Sequence, residues 1–479
     1  MRRDGVEACI GLDVGTGGVR ACLVDAEGRL LDSAERPLGA RREGVLFEQD
    51  PRQWWREAMA CLRALAPRAR RAGVRAISVA ATSGTVLLVD AEGEPLLPAI
   101  MYSDGRAQAE AAELNEALAG QCARLGYRFH PSWGLPKLLW LRRHRPELWR
   151  CGRMAHAADF LLERLSGARG VTDWTQALKS GYDVAQLRWP AEVARLLDLP
   201  PDQLPRVVPP GTPVGTLQRE VAEAVGLPPD VVVVAGMTDG CASQVAAGAV
   251  SPGAWLTVLG TTMVIKGVSR QLLRDPAGRI YHHRHPLGWW LPGAASNTGG
   301  EALEPWPRAR LPELDAAAGS RLPTGLVCYP LRRHGERFPF VCSHAHGFCE
   351  GAPADEASLY AATLEGVSCL ERLAYELLAS LGATTGGGVL TAGGGAHSRT
   401  WCAIRASVLG RPVLVARHTG AAYGAAVLAA GATVHRGLEE ATRTMARPAA
   451  SFDPDPGLEA GYGEQYQRFL EALRQRGYI

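Results

Sequence analysis

Lysine is almost missing from this chain. Lys137, Lys179 and Lys266 are its only lysines, and arginine supplies the rest of the 52 basic residues. Against 49 acidic residues the formal net charge is +3 over 479 residues. That gives no electrostatic case for nucleic acid or an anionic membrane. Long apolar runs are lacking too. No stretch approaches the roughly 18 apolar residues that span a bilayer, and Ala421–Ala432 is too short and too rich in glycine. The start, Met1 to Glu7, is polar and lacks the apolar stretch of a secretory signal. The 11 cysteines are odd in number, scattered and free of any CxxC pair, which fits a reduced cytoplasm. The phosphate-loop pattern GxxxxGK[ST] is absent.

What is present is ordinary globular material, 47% hydrophobic and 21% charged. The length exceeds what one core usually supports, so two large domains are expected. With 55 glycines and 32 prolines, many tight turns are expected. Cys9–Leu12 is apolar, Asp13-Val14-Gly15-Thr16-Gly17-Gly18 turns, and Val19–Val24 returns, with a further strand at Arg29–Ser33. This pattern predicts a β-meander. An amphipathic helix over Trp54–Ala69 and a buried strand over Val74–Ala80 follow, so an α/β sheet is expected. Pro136–His144 and Asp159–Leu165 carry helical spacing, and Pro200–Pro213 is a proline-punctuated surface connector. Val231–Ala235 predicts a strand and Cys241–Gly248 a small-residue helix.

Ser251-Pro252-Gly253 breaks the pattern and sets the expected boundary between 1–250 and 251–479. After it the opening recurs: Trp255–Leu259, the turn Gly260-Thr261-Thr262, then Met263–Val268. A glycine-threonine turn in each half is what a duplicated, actin-like nucleotide fold would show. Val389–Thr391 then feeds Ala392-Gly393-Gly394-Gly395 and a helix over Arg399–Val408. A strand over Pro412–Ala416 precedes a helix over Ala421–Ala430.

Phosphoryl transfer needs backbone donors around phosphates, a carboxylate for magnesium and a carboxylate to accept the attacking hydroxyl's proton. Asp13 stands at a strand end beside glycines that let the main chain approach a phosphate; the plainer reading is a turn residue. Gly260-Thr261 could serve the same phosphates or form a plain hairpin turn. The Gly393–Gly395 triplet could receive part of a nucleotide at a helix end, or be a simple strand–helix turn. Asp239, between strand and helix, fits an N-cap as well as a general base at a strand's carboxyl end. His282, His283, His285, His344 and His346 match no ordinary zinc set and are expected on the surface. Trp54, Trp55, Trp133, Trp140 and Trp174 are expected to pack in helices and cores.

Taken in order, these segments resemble the FGGY carbohydrate kinases along almost the whole chain. Gly11-Leu12-Asp13-Val14-Gly15-Thr16 is similar to that family's first phosphate turn. Gly236-Met237-Thr238-Asp239-Gly240 is similar to its catalytic-aspartate segment, and Leu259-Gly260-Thr261-Thr262 to its second phosphate turn. Thr391–Ala396 resembles its adenosine-binding turn, and Tyr423-Gly424-Ala425-Ala426 its late small-residue helix. Within the family, Ile77-Ser78-Val79 with Thr82-Ser83, Met101–Asp104, Ala177–Asp183 and Ala295–Gly300 are similar to plant and cyanobacterial D-ribulokinases. The Gln-Met-His-Gly type segment of common bacterial xylulokinases is absent after Val79. Two positions depart from the subgroup: Ala80-Ala81 replaces Asp-Gly, and Gly420 replaces an acidic residue.

The resemblance implies two actin-like (ribonuclease H-like) α/β ATPase lobes with an interdomain cleft. The N-terminal lobe would be sugar-binding and catalytic, the C-terminal lobe nucleotide-binding. It implies ATP-dependent phosphorylation of a small ketose in the cytoplasm, D-ribulose first and D-xylulose next. An actin-fold ATPase or chaperone without sugar kinase activity is the alternative of another class. Asp239 would be the base, and Asp13 would organise Mg2+ and lie near the sugar. Gly15, Thr16, Gly260 and Thr261 would face the phosphates of ATP, and Gly393, Gly394, Gly395 and His397 the adenosine. Gly17, Gly18, Ser83 and Asp104 would be sugar contacts. The expected partners are the sugar and ATP, without nucleic acid or membrane; a homodimer stays open.

Overall fold

A computed structural model describes residues 7–200 and 203–479, so the expectations for Met1–Val6 and for Pro201-Asp202 of the connector lie outside the described residues. The chain divides into two compact units. The first comprises Met1–Val250, His283–Gly288 and His418–Arg447; the second comprises Ser251–His282, Trp289–Arg417 and Pro448–Ile479.

In the first unit, Ala8–Val14 and Gly18–Asp25 form an antiparallel hairpin in register from Ala8↔Asp25 to Val14↔Val19, and Leu30–Pro37 pairs antiparallel on its outer side. Val74–Ala81 pairs parallel with Ala8–Val14, Val232–Thr238 pairs parallel with Val74–Ala81, and Pro213–Thr216 closes that edge antiparallel. Inside the expected connector Pro200–Pro213, Arg206–Val208 forms a short strand parallel to Val171–Asp173. The helix Pro51–Arg71 begins on Asp50, whose carboxylate accepts from Arg52 N at 3.0 Å, with proline at its first position. Trp54, Ala58, Cys61, Leu62, Leu65 and Ala69 recur at helical spacing and are buried against the sheet.

The helix Ala421–Thr433 was expected with the C-terminal part by chain continuity. It packs instead with the first unit. Glycine makes the contact: a Cβ on Gly11 would lie 1.8 Å from Ala422 O, and one on Gly424 would lie 1.8 Å from Ala242 O. Two backbones therefore touch where no side chain fits.

The second unit repeats the first in topology. Trp255–Leu259 and Met263–Gly267 form an antiparallel hairpin, and Trp290–Ala295 pairs antiparallel with its second strand. Val389–Ala392 pairs parallel with Trp255–Leu259, Val413–Ala416 pairs parallel with it in turn, and Pro448–Phe452 is an antiparallel edge. Both sheets therefore place an antiparallel three-strand meander beside two parallel strands and an antiparallel edge. Gly15-Thr16 and Gly260-Thr261 occupy the same hairpin in each. The helix Glu356–Ser380 starts on Asp355, which accepts from Ser358 N at 2.7 Å. Arg405 and Glu371 form a fully buried two-point ion pair at 2.7 and 2.8 Å, and Arg405 also donates to Thr391 Oγ1 at 2.5 Å. That pair ties two helices to the sheet.

Candidate active site

In the first unit the register brings two carboxylates to one end of the sheet. Asp13 and Met237 both flank Ala80, and Val14 and Thr238 both flank Ala81. Asp239 follows directly as the first residue of the helix Asp239–Ala247, so Thr238, not Asp239, is the N-cap residue. The capping reading of Asp239 is thereby corrected by one position. Its Oδ1 accepts from the neighbouring Gly240 N at 2.6 Å, and the side chain is half-buried.

Asp13 is 6% exposed, and its Oδ1 has no hydrogen-bond partner. Its Oδ2 lies 3.6 Å from Arg20 Nη1, but Arg20 also pairs with Glu35 at 2.8 Å. Burial, and then the negative charge of Asp239, push the Asp13 carboxyl up to about 7. An acidic residue in place of Ala80 would stand beside Asp13 and add a like charge; alanine spares it that.

The turn after Asp13 is closed by Gly15 N donating to Gly18 O at 3.0 Å. Gln49 Nε2 donates to Thr16 O at 2.7 Å, and Leu38 N donates to Gly17 O at 3.1 Å. A Cβ on Gly17 would meet nothing, whereas one on Gly18 would press on Arg36 O at 2.7 Å. Thr82 N donates to Val14 O at 3.3 Å, which ties the next loop to the strand of Asp13. In that loop Ser83 Oγ is buried and without a partner, as a hydroxyl awaiting a ligand would be.

Asp104 does not fit its expected sugar-contacting role. Its Oδ2 accepts from Phe47 N at 2.6 Å and Arg106 Nη2 at 2.7 Å, and its Oδ1 accepts from Arg106 N at 3.0 Å and Nε at 2.8 Å. All four lone-pair sites of the carboxylate are engaged. Burial alone would raise this carboxyl, but the Arg106 and backbone bonds hold it below its usual value.

In the second unit, residues from three distant segments line one cavity of about 770 Å³. Gly260 and Thr261 come from the hairpin turn; Gly394, Gly395 and His397 follow the strand Val389–Ala392; Glu301, Trp306 and Arg308 come from between. Gly393 lies at φ +84°, and a Cβ there would sit 2.5 Å from Leu259 O, so it lets the two turns approach. Gly300 N donates to Gly260 O at 2.7 Å, and Glu301 N to Thr261 O at 3.0 Å. Ser398 caps the helix Arg399–Leu409 and donates to Asp315 Oδ1 at 2.9 Å, where Tyr360 also donates at 2.8 Å.

Sequence reasoning missed Glu301, directly after the segment Ala295–Gly300, and also Trp306, Arg308 and Asp315, which sit in no glycine-marked motif. It also missed Asp173, Thr175 and Gln176, polar residues whose burial has no local signature. The histidine expectation is corrected too: His282, His283 and His285 are buried, while His344 and His346 are exposed. Burial pulls His282 down to about 4. Among the described residues, no group of three or more His, Cys, Asp and Glu side chains could hold a metal ion, and no helix is long and apolar enough to cross a membrane.

Two α/β units of common topology, one with paired carboxylates and one with a glycine-lined cavity, define a two-domain phosphotransferase architecture. The N-terminal domain model of the FGGY family of carbohydrate kinases matches residues 8–246, and its C-terminal domain model matches 256–433. The chain belongs to the FGGY family of carbohydrate kinases. It is 32% identical over 436 residues to the xylulose kinase of Streptomyces coelicolor, covering 88% of this chain and 87% of that one. It is 30% identical over 436 residues to the xylulose kinase of Escherichia coli K12, covering 88% and 89%. The crystal structure of xylulose kinase from Rhodospirillum rubrum aligns with a TM-score of 0.84 at 30% identity, covering 98% of each chain.

Proposed function

We propose that this carbohydrate kinase transfers the terminal phosphoryl group of ATP to a five-carbon ketose, with D-xylulose ahead of D-ribulose. The sequence motifs favoured D-ribulose. The relatives matching 88% of the chain are xylulose kinases, and this reverses the order. The observation that carries the chemistry is the pair Asp13 and Asp239 at the ends of the two strands that flank Val74–Ala81.

Asp239 is the general base. A half-buried carboxylate at a strand's carboxyl end can accept the proton of the ketose hydroxyl as it attacks phosphorus. Ser83, with its unpartnered hydroxyl, together with Gly17 and Gly18, faces the sugar. Asp104 is left out, because its lone pairs are engaged. Gly15, Thr16, Gly260 and Thr261 serve the phosphates, while Gly393, Gly394, Gly395 and His397 serve the adenosine.

A magnesium ion fits Asp13, whose buried Oδ1 lacks a hydrogen-bond partner and whose carboxyl is raised by burial and then by the charge of Asp239. One protein carboxylate suffices for an ion that keeps several waters and shares the phosphates. Bound there, it would neutralise phosphate charge.

ADP release measured against ketoses, polyols and aldoses tests the proposal. D-xylulose and D-ribulose should give the highest kcat/KM. A tenfold advantage for glycerol or gluconate would overturn the substrate class. ADP release indifferent to every sugar would return the chain to an actin-fold ATPase.

A further inference from the structure

Asp239 is placed by the residue before it, and Thr238 is held by a side chain far away in sequence. Thr238 N donates to Thr175 Oγ1 at 2.9 Å. Thr175 Oγ1 in turn donates to Asp173 Oδ1 at 2.5 Å, and the same oxygen accepts from Thr175 N at 2.7 Å and Gln176 N at 3.2 Å. A hydroxyl has one proton; with that proton committed to Asp173, its lone pairs face the Thr238 amide. Thr175 and Gln176 are fully buried, and Asp173 and Thr238 nearly so.

The strand itself does not fix this point well. The ladder between Val232–Thr238 and Val74–Ala81 shifts register between Val234 and Met237. There Gly236 passes so close that a Cβ would lie 1.8 Å from Val79 O. Gln176 adds a second tie, its Nε2 donating to Ala81 O at 3.3 Å, opposite Thr238. The N-cap side chain of Thr238 makes no capping bond. The start of the Asp239 helix therefore depends on an outside anchor.

We propose that Thr175, oriented by Asp173, is a positioning residue that sets where the Asp239 carboxylate points. This rests on the reading of Asp239 as the base. Thr175→Val keeps shape and removes both the acceptor and the donor; Thr175→Ser keeps the hydroxyl. In Thr175→Val, kcat should fall about tenfold or more, as small misplacements of catalytic groups do, while KM for ketose and ATP stays within about threefold of the parent. Thr175→Ser should recover most of kcat. In an Asp239→Asn background, Thr175→Val should change kcat less than about twofold, because a misplaced base that is already gone cannot be lost again.

A parent-like kcat in folded Thr175→Val, or equal losses in Val and Ser variants, would overturn the proposal. If the Val variant does not fold, Thr175→Ala, smaller but equally without a hydroxyl, decides: kcat should fall severalfold at constant KM, and an unchanged kcat overturns the proposal. Parent-like turnover in Asp239→Asn itself would instead sink the base assignment, whatever Thr175 does.

A separate observation in the second unit concerns two thiols. Cys328 in Val327–Tyr329 and Cys349 in Phe348–Glu350 are direct antiparallel partners, one buried and one exposed. Residues so opposed have Cα atoms about 4.5–5.5 Å apart, within the disulfide range. We infer that the pair is an oxidation site, closed to an intramolecular disulfide by a hydroperoxide. Cys349 thiolate attacks the peroxide oxygen to give a sulfenic acid and release water or alcohol. Cys328 sulfur then displaces the sulfenic hydroxyl as a second water, so two thiols are oxidised per peroxide reduced. A thiol hydrogen bond from Cys328 lowers the Cys349 thiol, favouring attack by that sulfur.

One equivalent of hydrogen peroxide should reduce the thiol titre of the denatured chain from 11 to nine and link the two peptides without dimerisation. Cys349→Ser should abolish the link. Absence of the linked peptide, or its persistence in that variant, would overturn the inference.

Discussion

Asp13, on one strand flanking Val74–Ala81, and Asp239, directly after the other, are coupled: the charge of Asp239 raises the proton affinity of Asp13. Neither burial nor pairing alone gives this arrangement. Asp13 has the dryness of a core residue without a partner on Oδ1, so its carboxyl is poised between forms near neutral pH.

That poise has a sign that can be measured. The Asp13 carboxyl rises from 3.8 to about 7 on folding, so between these values the folded state binds more protons than the unfolded one. Its favourable contribution is complete below about pH 4 and lost as pH rises through about 7. Asp13→Asn should therefore melt higher than the parent at pH 8, by no more than ~4 kcal/mol of stability, and match it at pH 4. Equal differences at both pH values would show that ionisation is not the cause. Activity should be lost at either pH.

Gly394 offers a test of the nucleotide cavity. A Cβ there would meet only Leu259 O at 3.9 Å, so the protein itself has room for a side chain. Gly394→Asp should fold and melt like the parent, with unchanged circular dichroism. ATP affinity should drop at least about tenfold, from bulk and from charge repulsion near phosphates. Unchanged affinity would reduce the glycine triplet to a turn.

The buried pair Arg405–Glu371 tests stability apart from chemistry. Glu371→Ala strands a guanidinium that is fully buried and should cost roughly 3–5 kcal/mol. Glu371→Gln keeps an acceptor and should cost less. Equal, small losses by denaturant titration would mean that Arg405 finds other acceptors.

The hairpin turns at Gly15-Thr16 and Gly260-Thr261 were legible because apolar runs bounded by glycine are local patterns, and their repetition forecast the common sheet topology. The placement of Ala421–Thr433 was not, because its contact with Gly11 joins residues some four hundred positions apart. Burial of His282, His283 and His285 depends on tertiary packing that spacing does not reveal. Asp104 was misread although Arg106, two residues on, carried the warning. Thr175 was invisible, since its role is a bond to the backbone of Thr238. Strand ends were legible to within a few residues, and the Asp239 cap was missed by one.

That single position makes Asp239 the sharpest test. Were it the N-cap, replacement would remove a helix-starting bond and cost roughly 0.5–2 kcal/mol. As the first helical residue, its Oδ1 accepts from Gly240 N at 2.6 Å, and Asn can accept that bond equally. Asp239→Asn should therefore unfold within about 0.5 kcal/mol of the parent. Asn cannot take up the hydroxyl proton as a carboxylate does, so kcat should fall at least about a hundredfold. Binding of ATP, measured separately by calorimetry, should persist because the cavity assigned to the adenosine lies in the other unit. Removing the Asp239 charge should also lower the Asp13 carboxyl from about 7, which a carbonyl-region infrared or NMR titration would register. Turnover of the best ketose within a few-fold of the parent would show that Asp239 is not the base.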